Sequence, residues 1–281
     1  MGKAKKARPP QYINSPMNTA MINYSVYYMS AFEKYASFLA TFLAGGFVGQ
    51  VFYGGLFKVD GEATNGTYIS NVVVFVVVGL IASKFFVQAI NDMLKKNRDK
   101  TLRRQFMDFL ECLSTSLSSG NTLHGAIINA REDLMNQYAE GSYIVAEVSE
   151  IINGMENGHT IEEMIHSFGS RCGNEDILAF SNVISNCYRL GGNFGDVVRR
   201  TRSIISDKIM VADEIETKIS SNKLQHNAMC TMPIALVAML KLSSPDFAGN
   251  LSSFLGVVVT TVAIGIFVGA YFWGQKIIDI G

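Results

Sequence analysis

The chain has few of the residues that build disulfide scaffolds, metal centres or stiff loops: its 281 residues hold four cysteines, five prolines, four histidines and one tryptophan. No two cysteines form a CxxC pair, and Cys112, Cys172, Cys187 and Cys230 stand apart in helix-patterned or apolar sequence. Isolated cysteines at helical core spacing in a reducing compartment are small buried apolar side chains, so neither a disulfide nor a zinc site is expected. Catalytic signatures are missing as well. There is no Gly-x-x-x-x-Gly-Lys-Ser/Thr loop, no Gly-x-Ser-x-Gly elbow and no His-Glu-x-x-His. His159 and His166 lie two helical turns apart without a third ligand, which leaves them as polar surface residues. Gly195 and Asp196 resemble part of an intramembrane aspartyl peptidase motif, but Asn193 stands where that motif needs glycine, and Asp196 lies outside any apolar run. No catalytic, metal or cofactor residue is assigned, and the chain is not expected to be an enzyme.

Charge is absent from four places. Lysine plus arginine and aspartate plus glutamate balance at 24 each, yet residues 35–57, 63–83, 224–240 and 247–275 contain none of them. A membrane-crossing helix needs about 20 mostly apolar residues, which each run approaches or exceeds. The mean hydropathy of +0.20 therefore averages two materials. The expected fold is all-α: a polytopic membrane protein with four transmembrane helices and a central cytoplasmic six-helix bundle. Residues 1–34 form a basic cytoplasmic segment, 35–83 one transmembrane hairpin, 84–223 the helical domain, 224–275 a second hairpin and 276–281 a tail.

Lysine and arginine set the orientation, because cytoplasmic segments near span ends carry their excess. Lys3, Lys5, Lys6, Arg8 and Lys34 precede the first run, and Lys84, Lys95, Lys96, Arg98, Lys100, Arg103 and Arg104 follow the second. The hairpin loops hold only Lys58, Asp60 and Glu62, or Lys241 and Asp246. Both termini and the middle block are therefore expected in the cytoplasm, at the inner (plasma) membrane. The basic flanks can bind anionic lipid at about 1 kcal/mol per cation. No basic stripe interleaved with aromatics points to nucleic acid. The first run starts too late and is too long for a signal peptide, so it is expected to remain as a span. Residues 24–38, rich in Tyr and Phe, suit a helix lying among headgroups, and residues 1–18 suit a disordered basic tail.

The middle block reads as helix throughout, with no strand. Its stripes are Leu102, Phe106, Phe109, Leu110, Leu113 and Leu117; then Leu123, Ala126, Ile127, Ala130 and Leu134; then Val145, Val148, Ile151, Ile152 and Met155. Ile161, Met164, Ile165 and Phe168 follow, then Ile177, Phe180, Ile184, Cys187 and Tyr188, and last Phe194, Val197, Val198, Thr201, Ile204 and Ile205. Six amphipathic helices with short connectors make a bundle. Thr160 with Glu163 is a capping box and Asn193 with Asp196 a similar arrangement; Thr122 opens another helix, and Gly120, Gly158 and Gly191 precede helix starts where the chain reverses. Residues 119–123 (SGNTL) echo 157–161 (NGHTI), as an internal repeat or as two independent caps.

Residues 119–127, then Gly158, Thr160 and Ile161, then Arg189, Leu190, Gly191, Gly192, Asn193, Phe194, Gly195, Asp196, Val197 and Val198 resemble the cytoplasmic domain of the type II secretion system protein F family. Within that family the pattern is similar to the Tad (Flp) pilus-assembly platform, TadB-like or TadC-like. Downstream, Arg199, Arg200 and Arg202, then residues 219–223 (ISSNK) and an apolar run containing Pro233, continue the pattern; the resemblance covers roughly residues 100–275. It implies an inner-membrane platform without catalysis, coupling a cytoplasmic hexameric secretion ATPase to pilin extraction and assembly. A sister platform protein, the pilin, membrane lipid and further copies are the implied partners. Many relatives carry glutamate before the double glycine. Here Arg189 and Leu190 stand there, so no role is carried over for that acid.

The last amphipathic helix is expected to run from Asn193 towards Lys223 into the third span, and the first to leave the second span through residues 84–117. Arg199, Arg200 and Arg202, or Glu162 and Glu163, would contact the ATPase or are solvated surface. A transporter or channel component with a cytoplasmic regulatory domain is the alternative from another class. It normally needs polar or ionisable groups at membrane depth, where these runs offer only side chains such as Gln50, Thr260 and Thr261. Gly45, Gly46 and Gly49, or Gly265 and Gly269, instead sit at packing spacing, for an oligomer or for packing within the subunit.

Overall fold

The helices follow the apolar periods of the sequence, with one addition at the N-terminal end. In the computed structural model, which describes residues 9–56, 64–190 and 192–280, two short strands come first, β1 (Tyr12–Asn14) and β2 (Ala20–Ile22). Nine helices follow among the described residues: α1 (Ala31–Tyr53), α2 (Asn65–Ser118), α3 (Leu123–Gln137), α4 (Tyr143–Glu156), α5 (Ile161–Cys172), α6 (Glu175–Leu190), α7 (Phe194–Ser243), α8 (Pro245–Leu251) and α9 (Phe254–Ile280). The fold is all-α apart from the strand pair. The chain divides into two compact units, Met1–Tyr28 with Asn91–Val211, and Met29–Ile90 with Ala212–Gly281.

The first unit is built on the stripes. Leu102, Phe106, Phe109, Leu110 and Leu113 of α2 are buried with Leu123, Ala126, Ile127, Ala130 and Leu134 of α3, and with Val145, Val148, Ile151 and Ile152 of α4. Ile161, Met164, Ile165 and Phe168 of α5, Ile177, Phe180 and Ile184 of α6, and Val198 and Ile205 of α7 complete one core. Rings of Phe106, Phe109, Phe168 and Phe180 meet at its centre, the Phe106–Phe180 pair edge-on at 5.4 Å. Fully burying such side chains is worth roughly 1.5–3 kcal/mol each. Cys112 and Cys172 belong to this core, whereas Cys187 and Cys230 are half-buried. Tyr188 and Ile204, assigned to stripes, lie largely on the surface.

Residues 11–28 depart from the expected tail and headgroup helix. Tyr12–Asn14 pairs antiparallel with Ala20–Ile22; Asn18 reverses the chain at φ 63, and its side chain accepts from Asn14 Nδ2 at 2.7 Å. The short side chains and Pro16 of residues 14–18 favour a turn over a helix. Helix α1 starts only at Ala31, because Ser30 and Glu33 form a full capping box, Glu33 N to Ser30 Oγ at 3.2 Å and Ser30 N to Glu33 Oε2 at 2.8 Å.

In the second unit, the glycines of α1 pack within the chain. A Cβ on Gly49 would sit 2.9 Å from Val78 Cβ, and one on Gly46 would strike the Phe75 ring. Around Gly265 and Gly269 of α9, by contrast, the space is open. Among the described residues, three helices are long and apolar enough to cross a membrane, α1, α2 and the Phe254–Tyr271 part of α9. The expected third span, 224–240, does not reach that standard as part of α7 alone; α7 does so only taken together with α8, as a bent pair. Gln225, His226 and Asn227 dilute its apolar content. The fourth run also starts later than residue 247. Ser244 caps α8, and Ser253 Oγ then accepts from Gly256 N at 3.1 Å to open α9. Lys58, Asp60 and Glu62, with Lys3, Lys5, Lys6 and Arg8, lie outside the described residues. Helices α2 and α7 are each unbroken from apolar run to amphipathic stripe, as expected.

Candidate functional site

The most concentrated chemistry in the first unit is a buried ionic cluster that the sequence did not announce. Glu147 on α4 and Arg171 on α5 form a bidentate pair, Nη1 to Oε1 at 2.8 Å and Nη2 to Oε2 at 2.7 Å. Their side chains are 1% and 4% exposed. Both residues sit on faces that otherwise pack into the core, so the pair is carried inward by its neighbours Ile144, Val148 and Phe168.

The strand pair and the residues after it close over this cluster. Tyr24 N donates to Arg171 O at 2.9 Å, Arg171 Nη1 donates to Ile22 O at 3.2 Å, and the Tyr24 phenol lies near enough to Glu147 to act on its carboxyl. One turn along α4, Glu150 accepts from Ser15 Oγ at 2.6 Å and from Thr19 Oγ1. From α2, Arg98 Nη2 donates to Tyr24 O at 2.9 Å and Val26 O at 2.8 Å. Its guanidinium lies 5.6 Å from the Tyr24 ring centre and 4.9 Å from that of Tyr27.

Burial pushes the Glu147 carboxyl up, against the pull of Arg171 and of the Tyr24 hydroxyl. At Arg171 burial works against the charge, but Glu147 more than offsets it and the guanidinium is held above its ordinary value. Burial, then Glu147, drives the Tyr24 phenol and the Cys172 thiol far up, so neither ionises near neutrality.

The residues singled out in the sequence occupy a different part of the unit. Thr122 caps α3 by accepting from Gly125 N at 3.2 Å, and Thr160 caps α5 by accepting from Glu163 N at 3.2 Å. Only half of the expected box forms at Thr160, because the Glu163 carboxylate turns to His159 Nδ1 at 3.2 Å. Gly120 and Gly158 both adopt left-handed backbone, φ +87 and +88, where a Cβ is strained. Asn193 accepts from Asp196 N at 3.4 Å and donates to its carboxylate at 2.7 Å. Gly192 N donates to Cys187 O at 2.9 Å, while Gly191 lies outside the described residues.

Arg199, Arg200 and Arg202 follow on α7. Arg202 pairs with Glu111 at 2.8 Å, and Arg199 reaches Ser118 Oγ at 3.3 Å and Asp196 at 3.8 Å. Arg200 is exposed. Exposed pairs of this kind contribute about 0–1 kcal/mol, so the arginines remain available to a partner. His166 and Glu162 are on the surface of α5 or half-exposed, and no cluster of metal-ligating side chains occurs among the described residues.

The second unit has its own polar anchor. Lys241 Nζ donates to the carbonyls of Gln50 at 3.3 Å, Val51 at 3.1 Å and Gly54, at the C-terminal end of α1 where a cation is favoured. Gln50 Nε2 donates to Asn71 O at 2.5 Å, joining α1 to α2.

No family model, curated protein or solved structure matches this chain.

The ionic cluster left only indirect signals in the sequence. Glu147 and Arg171 fall on the buried faces of their helices, at i+3 from Ile144 and i+3 from Phe168, which marks them as charges out of place. Asn14, Ser15, Pro16 and Asn18 between two short runs of strand-forming residues mark the hairpin.

Proposed function

We propose that this chain is an inner-membrane platform protein of the type II secretion F kind, in the Tad (Flp) branch, with no catalysis of its own. It would couple a cytoplasmic hexameric ATPase to pilin extraction and assembly beside a sister platform protein. The observation that carries this reading is the continuity of α2 and α7. Each is a single helix whose residues belong partly to the packed helical unit and partly to the apolar one. A load applied to the packed helices would reach the apolar segments along the hydrogen-bonded backbone of two helices, with no loop to absorb it.

The glycine turns and caps at Gly120, Thr122, Gly158, Thr160, Gly192 and Asn193 support the same reading, since they fall where the resemblance needs helix starts. The basic segment after the second apolar run favours a cytoplasmic position for the packed unit and both termini, with four spans if α7 and α8 count as one. The polar groups of the apolar unit are engaged within it, Lys241 by α1 carbonyls and Gln50 by Asn71, which favours a platform over a transporter.

The test is co-purification of the full chain, in detergent, with the secretion ATPase encoded beside it. Retention of the hexamer, and its loss in the R199E/R200E chain with helix content unchanged, is the expected result. Failure to retain any ATPase, together with solute flux through liposomes carrying the chain, would replace this reading with a transporter.

A further inference from the structure

We propose that residues 9–28 are a detachable strap, which leaves and rebinds the α4–α5 face as one piece while the six helices beneath stay packed. The inference rests on the geometry of the first unit and stands apart from the platform reading.

The strap cannot hold its own shape. Its strands are three residues each, and an isolated hairpin of that size is marginal in water. Its order comes from docking, and the docking is mostly polar. Ser15 and Thr19 bond to Glu150, the Tyr24 amide and the Ile22 carbonyl bond to Arg171, and Arg98 holds the carbonyls of Tyr24 and Val26. Tyr24 is its one buried hydrophobic side chain, with Met17 and Ile22 partly buried beside it and Ser15 and Asn23 buried as polar residues.

Beneath lies a buried ion pair in a core that is mostly apolar. A permanently closed interface would be as stable or more stable with apolar residues, because desolvating two charges consumes much of what their attraction returns. Under a removable cover the balance changes. When the strap is docked, Glu147 and Arg171 satisfy each other and the strap supplies a carbonyl; when it leaves, both charges rehydrate, and the apolar contacts given up are those of Tyr24, Met17 and Ile22. The docked state is also incompletely bonded. Arg98 Nε and Arg171 Nε are buried without an acceptor among the described residues, and water would serve both on opening.

The strap ends immediately before α1. Tyr28 closes the first unit and Met29 opens the second, so docking makes a short third chain connection between the units, beside α2 and α7. Undocking turns it into a slack one. The device thus switches how directly the first apolar helix is tied to the packed helices.

Hydrogen exchange on the full chain in nanodiscs tests this. The amides of Ser15, Asn23 and Tyr24, each donating within the strap or to Arg171, should exchange together, faster than those of α3 and slower than an unstructured peptide. S15A/T19A, which removes the hydroxyl bonds to Glu150, should speed their exchange about tenfold and leave α3 unchanged. Strap amides that exchange at the α3 rate, with α3 accelerated in step by S15A/T19A, would make the strap an inseparable part of the fold and overturn the proposal. Wild-type strap amides exchanging as fast as free peptide would overturn it too.

Discussion

At the scale of single residues, the buried Glu147–Arg171 pair sets the sharpest expectation. Replacing Arg171 with methionine leaves the carboxylate without its counter-charge in a site that already pushes its pKa up, at a cost of about 3–5 kcal/mol near neutral pH. The sign of the pH dependence follows. A carboxyl with a folded-state pKa above its unfolded value binds its proton more tightly in the fold, so R171M should be most stable below the ordinary carboxylate range and lose stability as pH rises through the raised value. Urea unfolding of R171M and wild type in the same detergent at several pH values measures this; a difference between the two that does not change with pH would remove Glu147 as its source. Two of the four cysteines were legible at this scale, since Cys112 and Cys172 sit in the core while Cys187 and Cys230 are half-buried. The ion pair was legible only as two charges on buried helix faces; their pairing was not, because the partners lie 24 residues apart on successive helices.

Among elements, the caps were readable because their chemistry is local. Thr122 and Thr160 accept from amides three residues on, and the glycines before them take the left-handed turn that their position demands. Gly158→Ala should therefore destabilise the first unit by about 1 kcal/mol, as should Thr160→Ala, seen as lowered melting temperatures in circular dichroism. A Gly158→Asn chain should recover part of the loss, since asparagine tolerates that backbone; no difference between alanine and asparagine there would deny the backbone cause. The hairpin escaped a reading by periodicity because three-residue strands are shorter than any reliable alternation, and because its partners, such as Glu150 for Ser15, are 135 residues distant. Helix boundaries and hydropathy diverge in the last two apolar runs. Hydropathy alone joined residues 247–253 to the run that follows, where Ser253 in fact caps a new helix.

For the whole molecule, missing charge led to boundaries at residues 34/35, 83/84 and 223/224, whereas the compact units divide at 28/29, 90/91 and 211/212; helix continuity through α2 and α7 followed from the lack of any breaker between stripe and apolar run. The number of crossings was less legible, since Pro233 and the polar start of 224–240 weaken a segment whose length alone qualifies. Reporter fusions measure the arrangement directly. A reporter inserted at residues 139–142, between α3 and α4, should read cytoplasmic, and one inserted at 58–62 should read the opposite side. Both reporting the same side would break the hairpin reading of the first two apolar helices.

The strap also bears on where this protein is cut for study. Ser30, with its complete cap, looks like a natural first residue for a shortened chain, and helix counting would find nothing missing from it. Such a chain would nonetheless have lost Tyr24 and the backbone groups that shelter the α4–α5 charges, and its packed unit would present a wet, ionic hollow where the intact protein is sealed. Binding or solubility measured on that fragment would describe the open form alone.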